Sequence, residues 1–229
     1  MRATSLAPDD SEALTLRGRL LLVKGQVIEA EESLSKACKL APDNVEPHFE
    51  LGKLYDMNHK SPEAITQFES VIRLNPNDPR AYDYLALNLD ALSKFERAEW
   101  AYKKGLEVNQ GTLKDAFLDY NYGRFLMAQN RPNEAKIHLD LAVKQAPSNR
   151  AVYYERAKLN VRLRNYAEAR RDAERALSVA DPAGFVLDLQ VYSQLAVIYS
   201  RLGEKELAAK YVKLSQSTSI PLDGYKMIR

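Results

Sequence analysis

The chain has 229 residues, 45% hydrophobic and 28% charged, which is too apolar for a disordered protein and long enough for a sizeable core. Thirty-three basic against 31 acidic residues leave a formal net charge of +2, so composition alone carries no signal of a nucleic-acid partner. The single cysteine, Cys38, forms no internal disulfide, no apolar run reaches the roughly 18 residues of a membrane span, and the first ten residues lack the apolar core of a signal peptide. A soluble chain is expected, cytoplasmic in preference to periplasmic.

Residues 5–10, SLAPDD, match KLAPDN at 39–44 and RLNPND at 73–78, and so read as the close of an upstream or degenerate repeat. A 34-residue frame then runs over 11–44, 45–78 and 79–112, resumes after three extra residues at 116–149 and 150–183, and after five more at 189–222. A tail, 223–229, follows. Position 8 of the frame is Gly18, Gly52, Ala86, Gly123, Ala157 and Ala196, and position 20 is Ala30, Ala64, Ala98, Ala135, Ala169 and Ala208. Small residues recurring at two fixed places imply backbones that approach closely, with Leu51 and Phe68, Leu85 and Tyr102, or Tyr122 and Leu139 filling the space beside them.

Leu51, Gly52, Tyr55, Ala64, Phe68 and Pro76 together resemble a tetratricopeptide repeat, whose 34 residues form two antiparallel helices. The resemblance covers most of the chain and implies an all-α, right-handed superhelical solenoid of helix pairs, one solenoid of six repeats over 11–222. Prolines fall at repeat ends or helix starts; Ser61-Pro62 and Asp181-Pro182 read as an N-cap followed by proline at the first helical position. Gly25, Gly203 and Asn130 fit the tight turn inside their repeats. Residues 113–115 are expected to add a turn to the first helix of repeat four, and 184–188 to extend that of repeat six back towards Asp181. A solenoid with uncapped ends leaves self-association open.

An enzyme is not expected. His48, His59 and His138 have no second His or Cys at metal-ligand spacing, the nine glycines form no phosphate loop, and Cys38 falls at an apolar second-helix position. No catalytic residue, metal or cofactor is assigned. Eight of the 13 tyrosines fall at scaffold positions; Tyr84, Tyr120, Tyr154, Tyr211 and Tyr225 do not. Trp100 reads as a local packing adjustment on a second helix.

In such a superhelix the first helices line the concave groove. The resemblance therefore places Arg19, Phe49, Lys53, Met57, Phe117, Tyr120, Arg124, Met127, Tyr154 and Lys158 there. Four of the six residues at position 9 are basic, and cations interleaved with aromatics suit a protein or extended peptide partner bearing acidic groups. Asp83 and Asp90 interrupt the stripe in repeat three. The carboxylate clamp by which some tetratricopeptide proteins hold a chaperone tail is not reproduced, since Thr15 with Arg19, Lys53, and Asp83 with Leu87 depart from it. Two alternatives stand beside the peptide scaffold. Residues 121–135, NYGRFLMAQNRPNEA, are similar to the central repeat of bacterial type IV pilus pilotin lipoproteins, whose lipid-bearing cysteine has no counterpart near the start of this sequence. A helical-repeat RNA binder is the other, from the basic stripe and aromatics able to stack on bases.

Overall fold

The computed structural model describes residues 10–111, 113–181, 184 and 186–217. The repeat close at 5–9, the tail at 223–229 and Tyr225 lie outside them. The described residues form α-helices joined by turns, with no strand among them, and divide into two compact units. Unit 1, ending at Leu118, holds α1 (Ser11–Val23), α2 (Val27–Leu40), α3 (Val45–Met57), α4 (Ser61–Leu74), α5 (Pro79–Ala91) and α6 (Phe95–Val108). Unit 2, from Asp119, holds all but the first residue of α7 (Leu118–Ala128), then α8 (Pro132–Gln145), α9 (Arg150–Arg162), α10 (Tyr166–Ser178), α11 (Asp188–Leu202) and α12 (Lys205–Ser217).

Within a unit each odd helix packs against the even helix after it, and each even helix against the next odd one. Small residues set the first contact. A Cβ built on Gly18 would lie 2.5 Å from Leu34 Cγ, one on Gly52 2.9 Å from the Phe68 ring, and one on Gly123 2.7 Å from Leu139 Cγ. Those distances leave room only for hydrogen, so position 8 is where the paired helices touch. Ala30, Ala64, Ala98, Ala135 and Ala169 are wholly buried on the facing helices, and Ala208 is half-buried.

The turn inside each pair is built the same way six times. Gly25, His59, Ser93, Asn130, Arg164 and Gly203 all adopt positive φ, between 57° and 80°. The next residue then donates its N–H to a carbonyl five residues back, as from Gln26 to Leu21, Lys60 to Tyr55 and Asn165 to Asn160, at 2.8–2.9 Å. This is the Schellman closure of a helix end. Gly25, Gly203 and Asn130 stand in the tight turn expected of them, and His59, Ser93 and Arg164 adopt the same conformation. Odd helices open differently: Asp10, Asn44, Asp78 and Asn149 each accept from the backbone N–H two residues on.

Three local expectations are corrected. Ser61 is the first helical residue rather than the cap, which is Lys60. Residues 113–115 do not lengthen a helix: α7 begins at Leu118, and Asn109 and Asp115 exchange side-chain to backbone bonds at 2.8 and 2.9 Å while Asp115 caps the Phe117 N–H at 2.8 Å. Nor does 184–188 extend α11, which begins at Asp188; the Asp181 carboxylate accepts from the Val186 N–H at 2.8 Å and so closes a turn instead of capping a helix. In both places an Asp or Asn side chain offers the backbone a partner that competes with the helical one.

Candidate functional site

The odd helices share a face in each unit, because α1 meets α3, α3 meets α5 and α9 meets α11. The residues expected to bind a partner lie mostly on this face, and their neighbours decide what they can do. In unit 1, Lys53 Nζ is held 2.9 Å from Glu50, one helical turn earlier on α3. Arg19 comes across from α1, 3.8 Å from Glu50 and 3.7 Å from Glu46. In unit 2 the arrangement recurs: Lys158 lies 2.9 Å from Glu155 on α9, and Arg124 of α7 reaches the same carboxylate at 3.9 Å. Glu50 and Glu155 are buried, so each acid is an internal counterion for a pair of cations, drawing charge-assisted bonds where solvent screens little.

An aromatic ring stands beside each lysine. Lys53 lies 5.6 Å from the Phe49 centroid, Lys158 5.5 Å from Tyr154, and the Arg124 guanidinium 5.4 Å from Tyr120. Tyr120 and Tyr154 are half-buried, and burial pushes both phenols above their ordinary value. Phe49 corrects the expectation of a groove aromatic: it is only 5% exposed. Its ring is edge-on to Phe68 at 5.9 Å and to Tyr84 at 5.8 Å, with the Arg80 guanidinium 4.5 Å from its centre. Tyr84 and Arg80 come from α5, so the next odd helix covers the ring and makes it core. Met57 and Phe117 are exposed, the latter in the loop before α7, and Met127 is half-buried with its carbonyl accepting from Arg162 at 2.7 Å.

The glutamates are the residues that the frame alone missed. A signal for them was present: FELGK at 49–53 and YERAK at 154–158 share aromatic, Glu, any residue, small residue, Lys. A Glu three residues before a Lys on one helix is positioned to pair with it.

Unit 1 carries a further acidic group on α5 and the loop behind it. Asp78, almost wholly buried, binds Arg80 at 2.6 Å, and the Asp83 carboxyl hydrogen-bonds that of Asp115. Burial pushes Asp115 above the ordinary aspartate value, opposed by the Phe117 N–H, Asp83 and Arg80. Asp56 is likewise raised by burial, against the 2.8 Å bond it accepts from Asn88.

The remaining candidates have structural partners. His48 bridges Gln67 at 2.8 Å and the Pro42 carbonyl at 3.1 Å, and His138 meets Asp119 at 2.8 Å beside the Tyr122 ring. Burial raises the Cys38 thiol to about 11, far from a thiolate nucleophile. Trp100 is half exposed and edge-on to Tyr82 at 6.2 Å. A cleft of about 400 Å³ in unit 2 is lined by Asp140, Arg156, Asn160 and Asp172, but Arg156 spends its donors on both acids and Asn160 donates to Asp172. No helix among the described residues is long and apolar enough to cross a membrane.

Helix pairs stacked on small residues, with polar and aromatic side chains aligned on one face, define a helical-repeat scaffold for protein interaction. The chain belongs to the tetratricopeptide repeat family: its profiles match residues 11–44, 120–185 and 189–217, together more than half of the sequence. Among curated proteins it is 28% identical over 160 residues to human protein O-mannosyl-transferase TMTC3, and 24% identical over 219 residues to mouse superkiller complex protein 3. Those alignments take in 69% and 91% of this chain but only 17% and 13% of the relatives' own lengths. Among solved structures, Pseudomonas aeruginosa PilF superposes with a TM-score of 0.76 at 19% identity, covering 90% of both chains. The type IV pilus biogenesis factor PilW gives 0.77 at 16% identity, covering 90% of this chain and 93% of its own. At such identities the likeness is one of fold.

Proposed function

We propose that this scaffold binds an acidic segment of a protein partner on the odd-helix face, chiefly in unit 2, with no catalytic step of its own. One observation carries the reading: in unit 2 Arg124 and Lys158 converge on the single carboxylate of Glu155, whereas in unit 1 Arg19 and Lys53 meet both Glu46 and Glu50. The unit 2 set keeps one positive charge beyond its own neutralisation. It also presents the half-buried rings of Tyr120 and Tyr154, whose hydroxyls can bond a ligand. A carboxylate from a partner completes the charge balance there, and the rings give its neighbouring side chains a surface to lie on.

The test is affinity capture from the source cell with the intact chain, with Arg124→Glu/Lys158→Glu, and with Arg19→Glu/Lys53→Glu, each checked for an unchanged helical spectrum. Loss of at least tenfold in captured partner is expected for the unit 2 pair, and a smaller loss for the unit 1 pair. Unchanged capture by the unit 2 pair removes the proposal. A gel-shift titration with single-stranded RNA provides the other arm: tight binding that falls steeply with added salt favours nucleic acid over a peptide.

A further inference from the structure

We infer that the acidic segment proposed for unit 2 carries two acids on alternate residues of an extended chain, the first meeting Arg124 and Lys158 and the second meeting Arg162. This rests on the reading of the odd-helix face given above and adds a second contact to it. Arg162 follows Lys158 by four residues on α9 and so lies one turn further along the same face. Its guanidinium reaches across to the end of α7, donating to the Met127 carbonyl and to the Asn130 side-chain oxygen, both at 2.7 Å. Those two bonds hold the group in place, and Arg162 remains exposed.

What distinguishes Arg162 is the charge left over. Its two acceptors are neutral oxygens, and the partial charge at the C-terminus of a helix is only about half a unit. Three of its five N–H groups stay open, in the planar fork that suits a carboxylate. Among the described residues Arg162 enters no ion pair, whereas Arg124 and Lys158 share Glu155. Arg201, at the same position 13 on α11, is exposed and likewise enters no ion pair among them, so the next odd helix adds to the charge instead of cancelling it. Position 13 in unit 1 holds Val23, Met57 and Ala91, none of them a cation.

Spacing sets the class of ligand. From Lys158 to Arg162 the helix rises about 6 Å, at about 1.5 Å per residue. In an extended chain alternate side chains point the same way about 6.6 Å apart, so acids at i and i+2 reach Lys158 and Arg162 together. Adjacent acids point to opposite sides, and acids at i and i+4 are spread over about 13 Å. A partner helix also spaces acids one turn apart, but its backbone groups are already paired. An extended segment brings open N–H and C=O groups, and this face has partners for them. These are the Tyr120 and Tyr154 hydroxyls and the Asn130 side-chain nitrogen, whose neighbouring oxygen is taken by Arg162.

Fluorescence-anisotropy titration of labelled peptides with the full 229-residue chain, up to millimolar concentration, tests this. The peptides are amidated Ser-Gly chains of equal length, with one glutamate or with two at i,i+1, at i,i+2 or at i,i+4, and an Ala-rich helical host repeats the i,i+4 pair. The i,i+2 peptide is expected to bind about tenfold tighter than the single-glutamate one and about threefold tighter than every other spacing. Arg162→Gln brings the i,i+2 peptide down to the single-glutamate level and leaves the single-glutamate peptide unchanged, which a merely structural role for Arg162 would not do. Arg162→Lys, which keeps the charge without the fork, recovers part of the difference. Arg124→Glu/Lys158→Glu weakens every peptide alike. If that pair of changes alters nothing, or no peptide binds, the reading of the odd-helix face falls and this inference with it. If it weakens binding but Arg162→Gln spares the i,i+2 advantage, or the helical host binds tightest, this inference alone is overturned.

Discussion

Units 1 and 2 are built on one packing scheme and differ in how they dispose of charge. Gly52 against Phe68 and Gly123 against Leu139 are the same contact, and FELGK and YERAK the same local motif. Around that motif unit 1 adds Glu46 to the cation pair, covers Phe49 with α5, and lays Asp78, Asp83 and Asp115 alongside. Among the described residues unit 2 adds none of these to its own cation pair, and it keeps tyrosines, with their hydroxyls, where unit 1 has a buried phenylalanine. A repeat scaffold can thus hold its architecture constant while one half turns inward for stability and the other keeps charge available.

The largest effect expected is common to both halves and checks that they share one packing. Gly52→Val and Gly123→Val each force a side chain into a contact already closer than 3 Å, and each should cost about 3 kcal/mol, seen as a fall of several degrees in thermal melting by circular dichroism. A tolerant response at one site alone would break the equivalence. Next in size, Glu155→Gln removes the carboxylate that Arg124 and Lys158 share, at roughly 2 kcal/mol, whereas Glu50→Gln costs less because Glu46 still holds Arg19. Equal losses for the two would show that Glu46 does not distinguish the units.

The smallest effect concerns pH. Burial raises Asp115 in the folded state, so the fold binds that proton more tightly than the unfolded chain does. Between the ordinary aspartate value and the raised one, stability therefore falls as pH rises, the reverse of a salt-bridged aspartate. Asp115→Asn keeps an oxygen for the Phe117 N–H and should flatten that slope, with a small gain in melting temperature at neutral pH. An unchanged slope would remove Asp115 as its source.

Much of the scaffold was legible because it depends on residue size at a fixed period: the glycines and alanines of positions 8 and 20 sit where the frame puts them, and the helices follow. The candidate surface was legible only by face. The frame gave Lys53, Arg124 and Lys158 a shared side, but not that Glu50 and Glu155 lie buried beneath them, nor that Tyr84 and Arg80 cover Phe49. Those outcomes depend on which long side chain of the next odd helix leans back, and helical periodicity does not encode that. The two helix extensions that do not form share one cause, an Asx side chain bonding nearby backbone at Asp115 and at Asp181, and at the second Gly184 adds a φ of 68° that no helix runs through.

The positive-φ turn residue has a consequence for engineering. Four of its six occurrences are His59, Ser93, Asn130 and Arg164, side chains that pay up to about 1–2 kcal/mol for a conformation glycine adopts freely. The helices on either side dictate that backbone whatever residue is supplied, so these four places are an untapped stability reserve. Glycine there, most of all in place of Arg164, would let the chain tolerate a surface rebuilt for a different ligand.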